Sequence, residues 1–474
     1  MLGNIILGLL DKELMSVKIS TEPMPADYDY KAQPDSTELS HIPGTFGLPV
    51  LGHLPWVLND LRALSNKLLD KYGTIAKLNI AGSKGIFVSN PDVVQAVFLD
   101  RHRNFSNEKA MENNIGRFFS GGLLLIDFDE HKEQRRLFQT AFKNEPMKQY
   151  VKQMNVIFAE HIQRWGDVDE FKFFPHIKQC LLTTAASIFI GVKSDEDIEM
   201  LNRNFIDMFE GMVGIVQKEI PGTKWARAKA ALRNLKDHYE SLIPLRRDTE
   251  VNVDFLSYLS KEKREDGSYF SDQQIVDHIN FLLMAAHDTT ASSLTNILME
   301  LAKNPEWQQR LREQSLAMDK EFIAYADLDE MVDFDHVILE AQRLHPSIPM
   351  TWRRSIRECE IEGYTIPPNT LVYMPLLYNY RDPKWWTDPN QFDPDRFSTQ
   401  RAEHKNHSFA FTAFGGGAHK CIGMHFAKAQ VKCFLHQFLL TYQFTVSEGY
   451  NPKLMMIPMP KPKDDLPLIL ERIQ

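Results

Sequence analysis

The stretch Phe414-Gly-Gly-Gly-Ala-His-Lys-Cys421-Ile-Gly423 decides how the rest of the chain is read. Three successive glycines precede a cysteine, and one more glycine follows it. Beyond it, Ala427, Val431, Phe434, Phe438 and Tyr442 recur at spacings of three and four, the period of one helix face. The cysteine therefore stands where a glycine-rich loop enters a helix. Unpaired backbone N–H groups at a helix start favour an anion and lower the pKa of a thiol held there. Glycines let the backbone approach a flat, bulky group with no side chain in the way. A thiolate so placed can act as a nucleophile or a metal ligand. The plainer alternative is a buried free cysteine behaving as a small hydrophobe.

Around this stretch lie 474 residues with 43% hydrophobic content, enough for a large core. Length alone allows about three domains. No Gly/Ser linker, low-complexity run or internal repeat divides the chain, so one large unit is expected. Against 63 acidic residues stand 54 basic ones, a net charge of −9, which argues against nucleic acid as a partner. Cys180, Cys359, Cys421 and Cys433 are too few for a disulfide framework and point to a cytoplasmic, reducing location. The apolar start, Met1–Leu10, is too short to span a bilayer and lacks the basic start and cleavage site of a signal peptide. It is expected to pack on the body, with membrane contact at most peripheral.

Residues 1–42 read as a leader, irregular where prolines interrupt it, and Pro43-Gly44 opens the compact part. A helix is expected over 57–71, strands at Ile75–Asn79 and Gly85–Val88, and a helix from Pro91. After a mixed stretch at 104–128, helices run from near Glu130 to about residue 250, broken at Pro221-Gly222. Ser271-Asp-Gln-Gln274 is a capping box that opens a helical run to Lys303, closed by Asn304-Pro305. At the α-helical rise that run extends about 48 Å, enough to cross a core. Helices are expected again near 305–317 and 335–345, strand-like segments at 359–375, an irregular section at 378–413, and strands near the C-terminus. The class is mostly α with minor β, with residues 43–474 as a single catalytic domain.

Further constellations carry chemistry. In the long helix, Ala285-Ala-His-Asp288-Thr289-Thr290 follows the apolar run Phe281–Ala286. A carboxylate beside a hydroxyl in a buried helix is costly unless paired or used. Thr289 can bond back to a helix carbonyl and open a local groove. Glu340 and Arg343 share a helix face at i, i+3; most such pairs are surface salt bridges. Phe392-Asp-Pro-Asp-Arg396-Phe397 reads as a turn with an apolar anchor on each side. His131 and Arg135, one helical turn apart, can both donate to an anion.

In this order and at these separations, the pieces resemble the cytochrome P450 family of haem–thiolate monooxygenases, from about Pro43 to the end. The family signature is Phe, two variable residues, Gly, three variable residues, Cys, one variable residue, Gly. Phe414, Gly417, Cys421 and Gly423 fill every fixed position. The resemblance implies haem b between the long central helix and the cysteine loop, with Cys421 as axial ligand to the iron. A proximal thiolate favours O–O cleavage. By similarity the haem propionates would meet His131, Arg135, Arg353 and His419, with Arg354 a rival to Arg353. Asp288 and Thr289 look like the oxygen-activating acid–alcohol pair, and Glu340, Arg343 and Arg396 like the family's buried triad. Two positions depart from the usual pattern. Histidine 131 stands where many relatives have tryptophan, and Ala286 stands where glycine is usual, which would narrow the groove. Pocket candidates are Phe118, Phe119, Met284, Ala285 and Met456.

The activity so implied is insertion of one oxygen atom from O₂ into a C–H bond of a hydrophobic substrate, isoprenoid, sterol- or retinoid-like, or a fatty acid. Electrons derived from NAD(P)H must come from a separate partner, since no flavin or iron–sulfur segment is visible. No Asp or Glu occurs from His404 to Ser447, while Lys405, Lys420, Lys428 and Lys432 do. An acidic ferredoxin, flavodoxin or flavoprotein reductase is therefore expected to dock near Cys421, steered by charge. A peroxide-using peroxygenase and a non-catalytic haem sensor or carrier are the alternatives.

Overall fold

A computed structural model describes residues 17–19, 28–167, 170–212, 214, 217–250, 254–457 and 459–473. The apolar Met1–Leu10 lies outside the described residues. The chain is mostly helical with small sheets. It divides into two compact units.

The first unit comprises Met1–Met111, Ile348–Gln391 and Thr399–Cys421. Helix α1 (Leu54–Tyr72) starts three residues before the expected position, because Pro55 suits a first helical turn. Helix α2 (Pro91–Leu99) is capped by Asn90, whose side chain accepts from the Asp92 N–H. The larger sheet contains β2 (Ile75–Ile80), β3 (Ser83–Val88), β4 (Phe105–Ser106), β5 (Thr351–Ser355) and β8 (Leu371–Met374), in the order β2-β3-β8-β5-β4. Ala81 and Gly82, both at positive φ, make a two-residue hairpin turn, so Ser83 and Lys84 belong to the strand rather than to a longer turn.

The smaller sheet joins β1 (Val17–Ile19), β6 (Cys359–Ile361) and β7 (Tyr364–Ile366). Strand β1 falls in the leader expected to be irregular; three residues are too few to show alternation, and pairing with β6 orders them. The rest of the described leader is tied in as well. Leu39 and Ile42 are buried against Ile75, Val88, Val93, Val97 and Val372.

The second unit comprises Glu112–Ser347, Phe392–Ser398 and Ile422–Gln474. It holds α3 (Phe128–Thr140), α4 (Asn144–Gln163), α5 (Phe173–Ile190), α6 (Asp195–Met212), α7 (Lys224–Arg247), α8 (Phe255–Lys261), α9 (Asp272–Lys303), α10 (Pro305–Ala317), α11 (Val332–Leu344) and α12 (Met424–Thr441). Strand β9 (Tyr442–Thr445) pairs with β12 (Ile469–Arg472), and β10 (Leu454–Met455) with β11 (Lys461–Pro462).

Helix α9 forms the 32-residue run that the sequence suggests. Ser271 and Gln274 close the capping box, and Asn304-Pro305 ends the helix. It is buried along most of its length and packs against α5, α7, α11 and α12. Val431, Phe434 and Phe438 of α12 are buried, whereas Ala427 is only half-buried. Phe434 stacks on Phe438 at 5.4 Å and meets Phe158 and Trp165. Each such buried side chain contributes about 1.5–3 kcal/mol by leaving water.

Candidate functional site

In the first unit, the Cys421 N–H donates to the Phe414 carbonyl at 2.8 Å and closes the loop over the glycines. Gly417–His419 forms a single 3₁₀ turn, and α12 begins three residues past Cys421. Cys421 is exposed, while Cys180, Cys359 and Cys433 are buried. Burial pushes the Cys359 thiol up to about 12 and that of Cys180 well above its ordinary value.

The glycines have different reasons. A Cβ at Gly417 would stand 1.7 Å from the Phe98 carbonyl oxygen, and one at Gly416 would press on Phe409 and Phe98. These two glycines let the loop pack on α2. Gly423 is the opposite case. Its φ is −87°, and an added Cβ would meet no atom of the described residues beyond its chain neighbours within 4 Å.

Phe98 also organises a cation. The Arg353 guanidinium lies 5.3 Å from its ring centroid, and Nη1 donates to the Trp352 carbonyl at 2.8 Å. Arg354, next along β5, is taken by the leader. It donates to the carbonyls of Gln33 and Tyr30 and pairs with Asp35. Arg353 thus packs on the helix that supports the cysteine loop, while the contacts of Arg354 described above go to the leader. His419 Nδ1 lies 3.5 Å from Asn107 Nδ2, one residue past β4, which pairs with β5. Cys421, Phe414, His419 and Arg353 therefore share one neighbourhood.

The remaining candidates lie in the second unit. His131 is buried in the first turn of α3, and Arg135 is half-buried one turn on. Glu340, Arg343 and Arg396 come together with no exposure. Arg343 Nε and Nη2 donate to the two Glu340 oxygens at 2.7 and 2.8 Å. Arg396 Nε and the Asp393 N–H both donate to Oε1, at 3.0 and 2.8 Å. This is a buried cluster, not the surface pair that i, i+3 spacing usually denotes.

Asp288 is buried in α9 and pairs with Lys178 of α5, with Nζ 2.9 Å from Oδ1. Thr289 Oγ1 donates back to the Ala285 carbonyl at 2.6 Å. Ser347 donates to the Thr289 carbonyl at 3.0 Å, and Gln342 donates to Ser293 at 2.7 Å. Residues at and just beyond the end of α11 thus brace this turn of α9. Phe118 and Phe119 are buried and tied to the same helix: the Phe118 carbonyl accepts from Asn280, and Phe119 meets Phe281 edge-on. Met284 is buried one turn further, Ala285 is half-buried, and so is Met456.

The lysine run is less available than its sequence implies. Lys428 and Lys432 both pair with Asp335, at 2.9 and 2.7 Å, and Lys432 also donates to the Leu328 carbonyl. Burial works against the Asp335 carboxylate, but Lys432 and Lys428 hold its pKa below the usual value. Only Lys405 and Lys420 of the four are exposed.

The family model for cytochrome P450 matches residues 42–468. The chain belongs to the cytochrome P450 family. A cytochrome P450 of Mycobacterium tuberculosis (strain H37Rv), numbered 136, is 34% identical over 446 residues, covering 92% of this chain and 90% of that protein. Abscisic acid 8'-hydroxylase 4 of Arabidopsis thaliana is 27% identical over 441 residues, covering 91% of this chain and 92% of that one. The solved structure of retinoic acid-bound cyanobacterial CYP120A1 matches with a TM-score of 0.83 at 26% identity, covering 91% of this chain and 99% of that chain.

Membership makes this P450 an oxidoreductase of monooxygenase type and implies a haem. The residues present fit that group. They offer an exposed thiol on a closed loop, a buried guanidinium over the Phe98 ring against which that loop packs, and a glycine at 423 that neither packing nor dihedral angle demands. Sequence reasoning missed Phe98, Asn107 and Lys178. For Lys178 a signal existed: it is the only Asp, Glu, Lys or Arg in the eighteen residues of α5.

Proposed function

We propose that this P450 uses Cys421 as the thiolate ligand of haem b and hydroxylates a hydrophobic, isoprenoid-type substrate, with residues 43–474 acting as one catalytic domain. The observation that carries the reading is Cys421 itself, exposed on the closed loop while the other three cysteines are buried. When bound, the haem supplies activation of O₂ and oxidation of the C–H bond. The rest falls to side chains. His419, Arg353, His131 and Arg135 would hold the propionates by charge-assisted hydrogen bonds. Asp288 would move protons at its carboxylate, and the Thr289 hydroxyl would hold one at Oγ1. Phe118, Phe119, Met284, Ala285 and Met456 would bind apolar substrate and exclude water. Gly423 would give the porphyrin clearance.

The isoprenoid class is supported by relatives named for abscisic acid and retinoic acid. Electrons would arrive from a separate ferredoxin, flavodoxin or flavoprotein reductase. Lys405 and Lys420, the two of the four lysines between His404 and Ser447 that are exposed, would face an acidic partner. The test is a spectral binding screen of the holoenzyme against terpenoid acids, sterols and fatty acids. Isoprenoid acids should shift the haem spectrum, and response to fatty acids alone would overturn the class. An absolute requirement for NAD(P)H and a reductase separates this reading from a peroxygenase.

A further inference from the structure

The family reading gives Asp288 and Thr289 a part and leaves His287 without one. His287 is fully buried in the middle of α9. Its Nδ1 lies 2.7 Å from the Leu283 carbonyl oxygen. A carbonyl only accepts, so Nδ1 carries a hydrogen and, in the neutral ring, Nε2 is a bare acceptor. That atom is buried with no hydrogen-bond partner among the described residues, 3.5 Å from Asp288 Oδ1. Oδ2 of Asp288 is likewise buried without one. Nε2 thus faces the lysine-paired Oδ1, and the two buried acceptors Nε2 and Oδ2 have no donor among the described residues, which is costly unless a proton sits on one of them.

The charged or titratable groups that reach His287 are Asp288 and Lys178. The Phe205 ring, 5.4 Å away, packs against its other side. Burial opposes the charged imidazole, Asp288 favours it and Lys178 opposes it; the balance lies below the ordinary histidine value. Lys178 is the member of the group that meets solvent, with about a quarter of its side chain exposed.

We propose that His287 is the proton-holding partner of Asp288, and that Lys178 sets how readily this pair takes up its proton. The inference rests on the reading that Asp288 handles protons. Uptake adds one proton at Nε2, giving an imidazolium that faces the carboxylate. Release passes that proton to Oδ1 of Asp288 and returns a neutral ring. No electrons move, and the charge of the pair is the same before and after the internal transfer. His287 acts through Asp288 and is a positioning and proton-storing residue.

The test uses the reduced, CO-bound holoenzyme, which is diamagnetic, labelled with ¹⁵N in its histidine rings. The His287 signal is the one lost in His287→Gln. In Lys178→Met its titration should move up by about one pH unit, a tenfold gain in proton affinity, and Lys178→Arg should restore the wild-type position. In turnover, His287→Gln should lower product formed per electron pair roughly tenfold, with an enlarged solvent deuterium effect. A His287 titration that ignores Lys178→Met, or His287→Gln with unchanged coupling and isotope effect, would overturn the proposal. The CO spectrum of each variant reports separately on Cys421, so failure of the haem–thiolate reading is distinguishable from failure of the proton pair.

Discussion

Glu340 and Asp288 are both buried carboxylates on helices of the same unit, and both meet cations, yet their surroundings differ at every oxygen. Glu340 receives four donors from Arg343, Arg396 and the Asp393 backbone, and both its oxygens are satisfied. Asp288 receives one lysine at Oδ1, while Oδ2 has no hydrogen-bond partner among the described residues and a histidine acceptor stands nearby. A saturated carboxylate has no place for a proton and can only hold structure. An unsaturated one is costly to keep and has a place where a proton can be held.

The sharpest way to break this contrast is Glu340→Gln. It leaves two buried guanidinium groups without their anion, and the expected loss is about 3–5 kcal/mol. Denaturant unfolding measures it, and a loss below about 1 kcal/mol would remove the structural half of the comparison. Asp288→Asn should behave the other way. Lys178 can turn to solvent, so stability should fall by only about 1 kcal/mol. Turnover should drop about a hundredfold, as for loss of a general acid, while substrate binding holds. Equal losses of stability in the two variants would erase the distinction.

His278 supplies a third point, a buried titratable group that should do no chemistry. Its Nε2 donates to Gln134, Phe138 and Phe270 pack around the ring, and burial pushes its pKa down to about 3. The unfolded chain takes up this proton as pH falls through 6.5, and the folded chain resists until about 3. Stability from this group is therefore full above 6.5 and is lost on acidification across that window. His278→Phe should flatten the fall of Tm between about pH 6 and 4 and leave turnover unchanged. The smallest effect is expected at Asp335. Its pKa is depressed, so its pairing holds above the unfolded value and is lost as pH falls through the folded one. Asp335→Asn should cost about 1 kcal/mol near neutral pH. It should also speed reduction by an acidic partner at low salt, because it frees Lys428.

Where a reading depended on neighbours along the chain, the sequence was legible. The cysteine signature, the capping box of α9 and the back-bond of Thr289 are local, and all three are set by residues within ten of one another. Contacts made across the fold were not legible. Lys178 reaches Asp288 from α5, Asp335 takes up two lysines of α12, and Phe98 dictates two glycines of the cysteine loop. Arg396 is the instructive intermediate. Nothing in Phe392–Phe397 says that this short turn belongs with the helical unit, and only resemblance to the family joined it to Glu340. The leader failed in the same way, since β1 is a strand only because β6 offers an edge.

The reading as a whole turns on Cys421. The most direct measurement is the absorption spectrum of the reduced, CO-bound protein, wild type beside Cys421→Ser. The thiolate-type band should appear in the wild type and vanish in the variant while haem remains bound. Folded, haem-loaded wild type without that band, or a variant that keeps it, would contradict the account.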